Sequence, residues 1–225
     1  MSLQENNNMK TVAPLALHFL LILSCVLMLV SVSSIAGEDA SIESALTAIE
    51  NKEYDKAFKQ FQVLANKGEA DAQHNLAMMY RTGKGIKKNY KLSGEWFRKA
   101  ADQGVVDAQY YMGHIYDVGE GVSEDKKYAY VWYRKAAEKG HGLAQINLGV
   151  LYANGLGVEQ DVSQAYLWFH VATAQGYKLA FENKEIIEKT LAPEDVKRLK
   201  QEGREYYKLY VMPFQHRSSR KSRLR

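Results

Sequence analysis

Residues 70–80 read A-D-A-Q-H-N-L-A-M-M-Y, residues 106–116 read V-D-A-Q-Y-Y-M-G-H-I-Y, and residues 142–152 read G-L-A-Q-I-N-L-G-V-L-Y. Each copy starts 36 positions after the last. A fixed period of this size marks a supersecondary unit repeated in tandem. Such a unit cannot bury both faces alone, so neighbours stack and the chain presents an extended surface.

The rest of the unit repeats as faithfully. Ala72, Leu76, Ala77 and Tyr80 share one stripe of a helix over residues 71–82. Gly83 stands where a left-handed C-cap is needed, and Gly119 and Gly155 stand at the same place. A second glycine and an apolar residue follow: Gly85-Ile86, Gly121-Val122 and Gly157-Val158. The apolar side chain is expected to fold back and seal the helix end. Asn89, Asp125 and Asp161 are N-cap residues for a second helix. Asp161 with Gln164 has the spacing of a capping box. Trp96-Phe97, Trp132-Tyr133 and Trp168-Phe169 lie on that helix and are expected to fill the wedge between helix pairs. Gly104, Gly140 and Gly176 stop it.

A-x-A-Q-x-x-L-G-x-x-Y, then G-x-G-V, then D, then W-[FY]-R-K-A-A-x-x-G resembles the SEL-like repeat (SLR) family, a branch of the tetratricopeptide-like solenoids. The second copy matches most densely, from Ala108 and Gln109 through Gly119, Gly121 and Asp125 to Trp132 and Gly140. The first departs at Ala77 and Asn89, and the third at His170-Val171, where the others carry Arg-Lys. The resemblance implies an all-α, right-handed α-solenoid of antiparallel helix pairs. The expected layout is an N-terminal capping pair (37–68), repeats at 69–104, 105–140 and 141–176, C-terminal capping helices (177–211), and a basic disordered tail (212–225).

Residues 15–32 are almost continuously apolar, Lys10 precedes them, and Ser34 and Ala36 satisfy the small-x-small rule for cleavage after Ala36. Residues 1–36 therefore read as a signal peptide, with Met9 an alternative start. The alternative is an uncleaved membrane anchor over residues 12–32. Cys25 is the sole cysteine, so residues beyond 36 hold no disulfide framework or cysteine-ligated metal. The net charge of +4 is owed to Arg217, Arg220, Lys221, Arg223 and Arg225. Without these five, 25 Lys and Arg face 26 Asp and Glu, which argues against a nucleic-acid partner. The five are the candidate contacts for an anionic membrane or envelope polymer.

In the resembled solenoids the first helix of each pair lines the concave face. That register assigns a partner groove to Asp71, His74, Met78 and Arg81, then Asp107, Tyr110, His114 and Asp117, then Leu143, Ile146, Val150 and Asn154. The groove is expected to grade from polar to apolar and to hold another protein or a peptide. Catalytic patterns are poor by comparison. Ser123-Glu124-Asp125-Lys126 fits S-x-x-K, but the chain has no S-D-N or K-T-G partner motif. Gly83-Lys84-Gly85 is too short for a phosphate loop. No histidine pair has a metal-binding helical spacing, so no metal and no cofactor is expected. The reading is an exported, non-enzymatic protein-interaction adaptor or regulator of the cell envelope, periplasmic or secreted, in a Gram-negative bacterium. A β-lactam hydrolase, as ascribed to cysteine-rich relatives, is the alternative, but the paired cysteines are missing.

Overall fold

The computed structural model describes residues 40–215; the expected signal peptide or anchor and the five tail cations lie outside them. From Ile42 onward the described residues form ten α-helices: α1 (Ile42–Glu50), α2 (Tyr54–Asn66), α3 (Ala70–Thr82), α4 (Tyr90–Asp102), α5 (Val106–Val118), α6 (Lys126–Ala137), α7 (Gly142–Asn154), α8 (Val162–Ala174), α9 (Lys178–Glu188) and α10 (Pro193–Tyr210). The fold is an all-α solenoid. Through α8 each helix packs on the one before and the one after it. Small residues set the spacing within a pair. Ala77, Gly113 and Gly149 face the buried rings of Phe97, Tyr133 and Phe169. Where the facing residue is glycine, any β-carbon would run into the ring.

The double-glycine turn does two separate things. Gly83, Gly119 and Gly155 adopt the left-handed conformation and end α3, α5 and α7. Gly121 also has positive φ, and a β-carbon on it would lie 2.7 Å from the backbone of Tyr90. The second glycine thus seats each turn against the start of the preceding unit's second helix. The expected apolar seal is not general, since Val122 is 39% exposed. The turn is closed by the backbone: Asn89, Asp125 and Asp161 donate their N–H to the carbonyls of Tyr80, Tyr116 and Tyr152 at 2.8–3.0 Å. The same three residues cap α4, α6 and α8 through side-chain oxygens. At Asp161 no reciprocal box forms, because the Gln164 side chain instead accepts from the Tyr206 hydroxyl.

A buried glutamine marks each unit. Gln73, Gln109 and Gln145 are 5% exposed or less and donate Nε2–H to the last-turn carbonyls of Ala65, Ala101 and Ala137. Each bond fastens a first helix to the helix before it and satisfies a carbonyl that helix geometry leaves open. The wedge residues divide unevenly. Trp132 and Trp168 are buried, but Trp96 is only half-buried, with the Lys99 ammonium 3.7 Å from its ring centroid.

The last two helices leave the pattern. Both α9 and α10 pack on α8 and scarcely touch each other. Trp168 is covered by Tyr206 and Tyr210 of α10, with ring centroids 5.5 and 5.0 Å away. Gly203 lets α10 approach α8 at His170. This accounts for His170-Val171 in the third copy. Arg98 and Arg134, at the position of His170, reach Asp102 and Glu138 in solvent, whereas Val171 is fully buried beneath α10.

Candidate functional site

The first-helix register brings together an aromatic and imidazole patch across repeats one to three. The Tyr110 ring stacks on His141 at 4.5 Å and lies 5.3 Å from Tyr111 and 6.5 Å from His114. Tyr111 stacks in turn on the buried Phe97 at 4.7 Å and tilts against His74 at 6.0 Å. Burial, with Tyr111 beside it, pushes the Tyr110 phenol up, so it stays a neutral donor. Met78 is half-buried beside this cluster.

Two ion pairs brace the patch. Glu120 is 14% exposed on its side chain and takes both Arg81 Nε–H and Nη2–H at 3.0 Å. This fork is the bidentate geometry that suits arginine to carboxylates. Arg81 also lies 5.2 Å over the Tyr111 ring, and His114 Nδ1 lies 3.5 Å from Glu120. The second brace is Asp117, which takes Lys126 Nζ at 2.8 Å and the Tyr133 hydroxyl at 3.1 Å. That contact engages the lysine of the S-x-x-K match, while Asp125 of the same four residues is occupied as a helix cap.

His141 carries a structural role that its sequence position did not announce. Its Nδ1 accepts the Ala144 N–H at 3.1 Å, capping α7, and its Nε2 lies 3.6 Å from Asp107. The ring is therefore neutral with its proton on Nε2. Burial holds its pKa below the ordinary histidine range, partly opposed by Asp107.

Not every assigned position joins the ring cluster. Asp71 and Asp107 are exposed at the starts of α3 and α5. In the third repeat Leu143 is 43% exposed and Asn154 is exposed, bonding only back to the Val150 carbonyl among the described residues. Ile146 is a correction: at 3% exposure it belongs to the core, and Val150 packs against the same cluster with Tyr177. In place of the expected apolar end, α9 closes over these two side chains. Glu120, Tyr111 and His141 are the members that register reasoning missed. Glu120 is the variable residue inside the glycine turn, and only its reach to Arg81 gives it a place.

Among the described residues no group of three or more His, Cys, Asp or Glu could hold a metal ion, and no helix is long and apolar enough to cross a membrane. The arrangement offers half-buried rings, fixed charges and exposed carboxylates along one face, which suits recognition of a chain segment.

The Sel1 repeat family matches residues 70–105, 106–141 and 142–177. Among solved structures, the chain is similar to c5321, a protective antigen present in uropathogenic Escherichia coli strains that displays an SLR fold. The TM-score is 0.55 at 31% identity, over 73% of this chain and 43% of that protein. It is also similar to a Sel1 repeat protein from Oxalobacter formigenes, with a TM-score of 0.62 at 29% identity, over 65% of this chain and 60% of that one. The chain thus spans less than two thirds of either protein's length. The search of curated proteins found no match. With three tandem units matched and SLR folds as structural neighbours, the chain belongs to the Sel1 repeat proteins.

Proposed function

We propose that this chain is an exported adaptor whose first-helix face grips a peptide segment of another protein in the cell envelope. Sel1 repeats generally mediate protein–protein contact, and that general role is the starting point. The observation that carries the finer reading is the Tyr110 patch. Its rings are half-buried and held by stacking on one another and on Phe97, with His141 fixed as the cap of α7, so little side-chain freedom is lost when a partner covers them. Asp71 and Asp107 stand at the rim, and the two basic side chains of the patch, Arg81 and Lys126, are already paired. The face therefore favours a segment with a basic residue set beside aromatic or apolar ones. No catalytic role is assigned to Ser123, since Lys126 is bound to Asp117 and Glu124.

Photo-crosslinkers at Asp107 and Leu143 on this face, and at Val131 on α6, test the reading in the native cell. Capture of one partner from Asp107 and Leu143 but not from Val131 supports it; capture from Val131 alone overturns it. Export rests on the apolar stretch before Ser34 and Ala36. Sequencing the N-terminus of the mature protein distinguishes a start at Gly37 from a retained anchor.

A further inference from the structure

The end of α10 comes to rest beside the Tyr110 patch. A β-carbon on Gly140 would lie 3.1 Å from both the Phe214 ring and the Tyr210 carbonyl, so the chain past α10 runs against the end of α6. The same Tyr210 carbonyl accepts Gln145 Nε2–H of α7 at 3.5 Å. His141 follows Gly140 directly, stacks on Tyr110 at 4.5 Å and lies 3.6 Å from Asp107. Gln215, the last described residue, therefore hands residues 216–225 to the rim of the candidate site.

Residues 216–225 read H-R-S-S-R-K-S-R-L-R, with five lysines and arginines and no acid. The rim has the opposite charge. The Asp107 side chain is 66% exposed, and its ionic neighbour among the described residues is the His141 ring. Asp71, one unit back, is exposed and has no ion-pair partner among the described residues. Lys139, at the end of α6, turns its Nζ to the Gly104 carbonyl instead. Length is no obstacle. Ring contacts of 4.5, 5.3 and 6.0 Å lead from His141 through Tyr110 and Tyr111 to His74. Ten extended residues cover about 33 Å, well beyond that run.

We propose that residues 216–225 dock on the first-helix face of their own chain, with their cations at Asp107 and Asp71 and the Tyr110 rings between, and that a partner must displace them to bind. The docking stands on the placement and charge of the two segments; the competition rests on the adaptor reading of that face. Exposed ion pairs are individually weak. A tethered segment nevertheless meets its site at an effective concentration in the millimolar range, so weak pairs suffice to hold it. The tail then sets a threshold: a basic segment that binds no better than the tail itself is kept off the face.

The full chain with a photo-crosslinker in place of Leu224 is irradiated at low protein concentration, and the joined peptides are identified by mass spectrometry. The expected product is a single chain joined from position 224 to residues 70–82, 106–118 or 141–147. Sodium chloride at about 1 M, where the screening length is ~3 Å, is expected to suppress it. The tail variant Arg220→Glu, Lys221→Glu, Arg223→Glu is expected to lower its yield about fivefold, and so is the face variant Asp71→Lys, Asp107→Lys. Combining the two is expected to restore it, which misfolding of either variant could not do. Joining elsewhere in the chain, to a second chain or to lipid, or a yield indifferent to both variants, overturns the proposal. For the competition, the Leu143 crosslinker is expected to capture more partner in the tail variant than in the unaltered chain, and equal capture overturns it. Joining at the face with no partner captured there upholds the docking and removes the adaptor reading alone, so the two fail separately.

Discussion

The side-chain amide of Gln103 donates to Oε1 of Gln73 at 2.8 Å, joining the end of α4 to the start of α3. Two units further on, Gln175 makes the same bond to Gln145 at 2.7 Å. In the unit between, the position is Lys139, whose Nζ reaches only the Gly104 carbonyl at 3.3 Å. Gln109 Oε1 is left buried without a partner. A buried acceptor with no donor costs about 1–3 kcal/mol.

Replacing Lys139 with glutamine restores the ladder. Gln103 already shows that one glutamine at this position serves both the glycine carbonyl and the glutamine oxygen. Lys139→Gln is therefore expected to stabilise the protein by about 1 kcal/mol. Urea unfolding followed by circular dichroism checks it. A lower midpoint would show that Gln109 Oε1 meets a water instead.

The two kinds of turn glycine differ in what they tolerate. Gly176 has φ of +91°, and a β-carbon there meets nothing within 4 Å. Gly176→Ala therefore costs only the left-handed conformation, about 1–2 kcal/mol. Gly121 has φ of +78° and lies against the Tyr90 backbone, which has little room to give. Gly121→Ala is expected to cost about 3 kcal/mol or more, because overlap adds to strain. Equal losses for the two variants would remove the seating role of the second glycine.

The period, the caps and the buried stripes were all legible, because each is a relation among residues within one unit. Asn89, Asp125 and Asp161 cap the helices their spacing assigned to them. What escaped were relations between units. Glu120 meets Arg81 from 39 positions away, and nothing local marks it. Ile146 shares the register of His74 and Tyr110, yet it is buried in a cluster with α9 where those two stay half-buried. The change to His170-Val171 was visible as a departure. Its cause, a last helix laid on α8, is a contact with Gly203 that no repeat pattern encodes.

Acidification is expected to loosen α7. The His141 pKa is lowered in the folded chain, by burial first, so the folded state binds fewer protons than the unfolded one. The stabilisation is complete above the unfolded value near 6.5 and is lost as pH falls through the folded value. Protonation at Nδ1 also removes the acceptor for the Ala144 N–H. His170 is lowered too and adds to the same slope. His141→Asn keeps a cap and removes this titration. Unfolding free energies between pH 7.5 and 5 should fall less in the variant than in the unaltered protein. Parallel curves would assign the whole slope elsewhere.

Gly203 sits in the middle of α10, where glycine costs about 0.5–1 kcal/mol relative to alanine. Its presence is explained by contact: a β-carbon there would lie 2.6 Å from the His170 ring. A larger side chain must push α10 away from α8, and Trp168 loses its cover of Tyr206 and Tyr210. Gly203→Leu is thus expected to cost about 2 kcal/mol through overpacking, despite the gain in helix propensity. Tryptophan fluorescence, read with Trp96 and Trp132 replaced by phenylalanine, should shift to the red as Trp168 meets water. A stable variant with unshifted emission would mean that α10 is not held at Gly203.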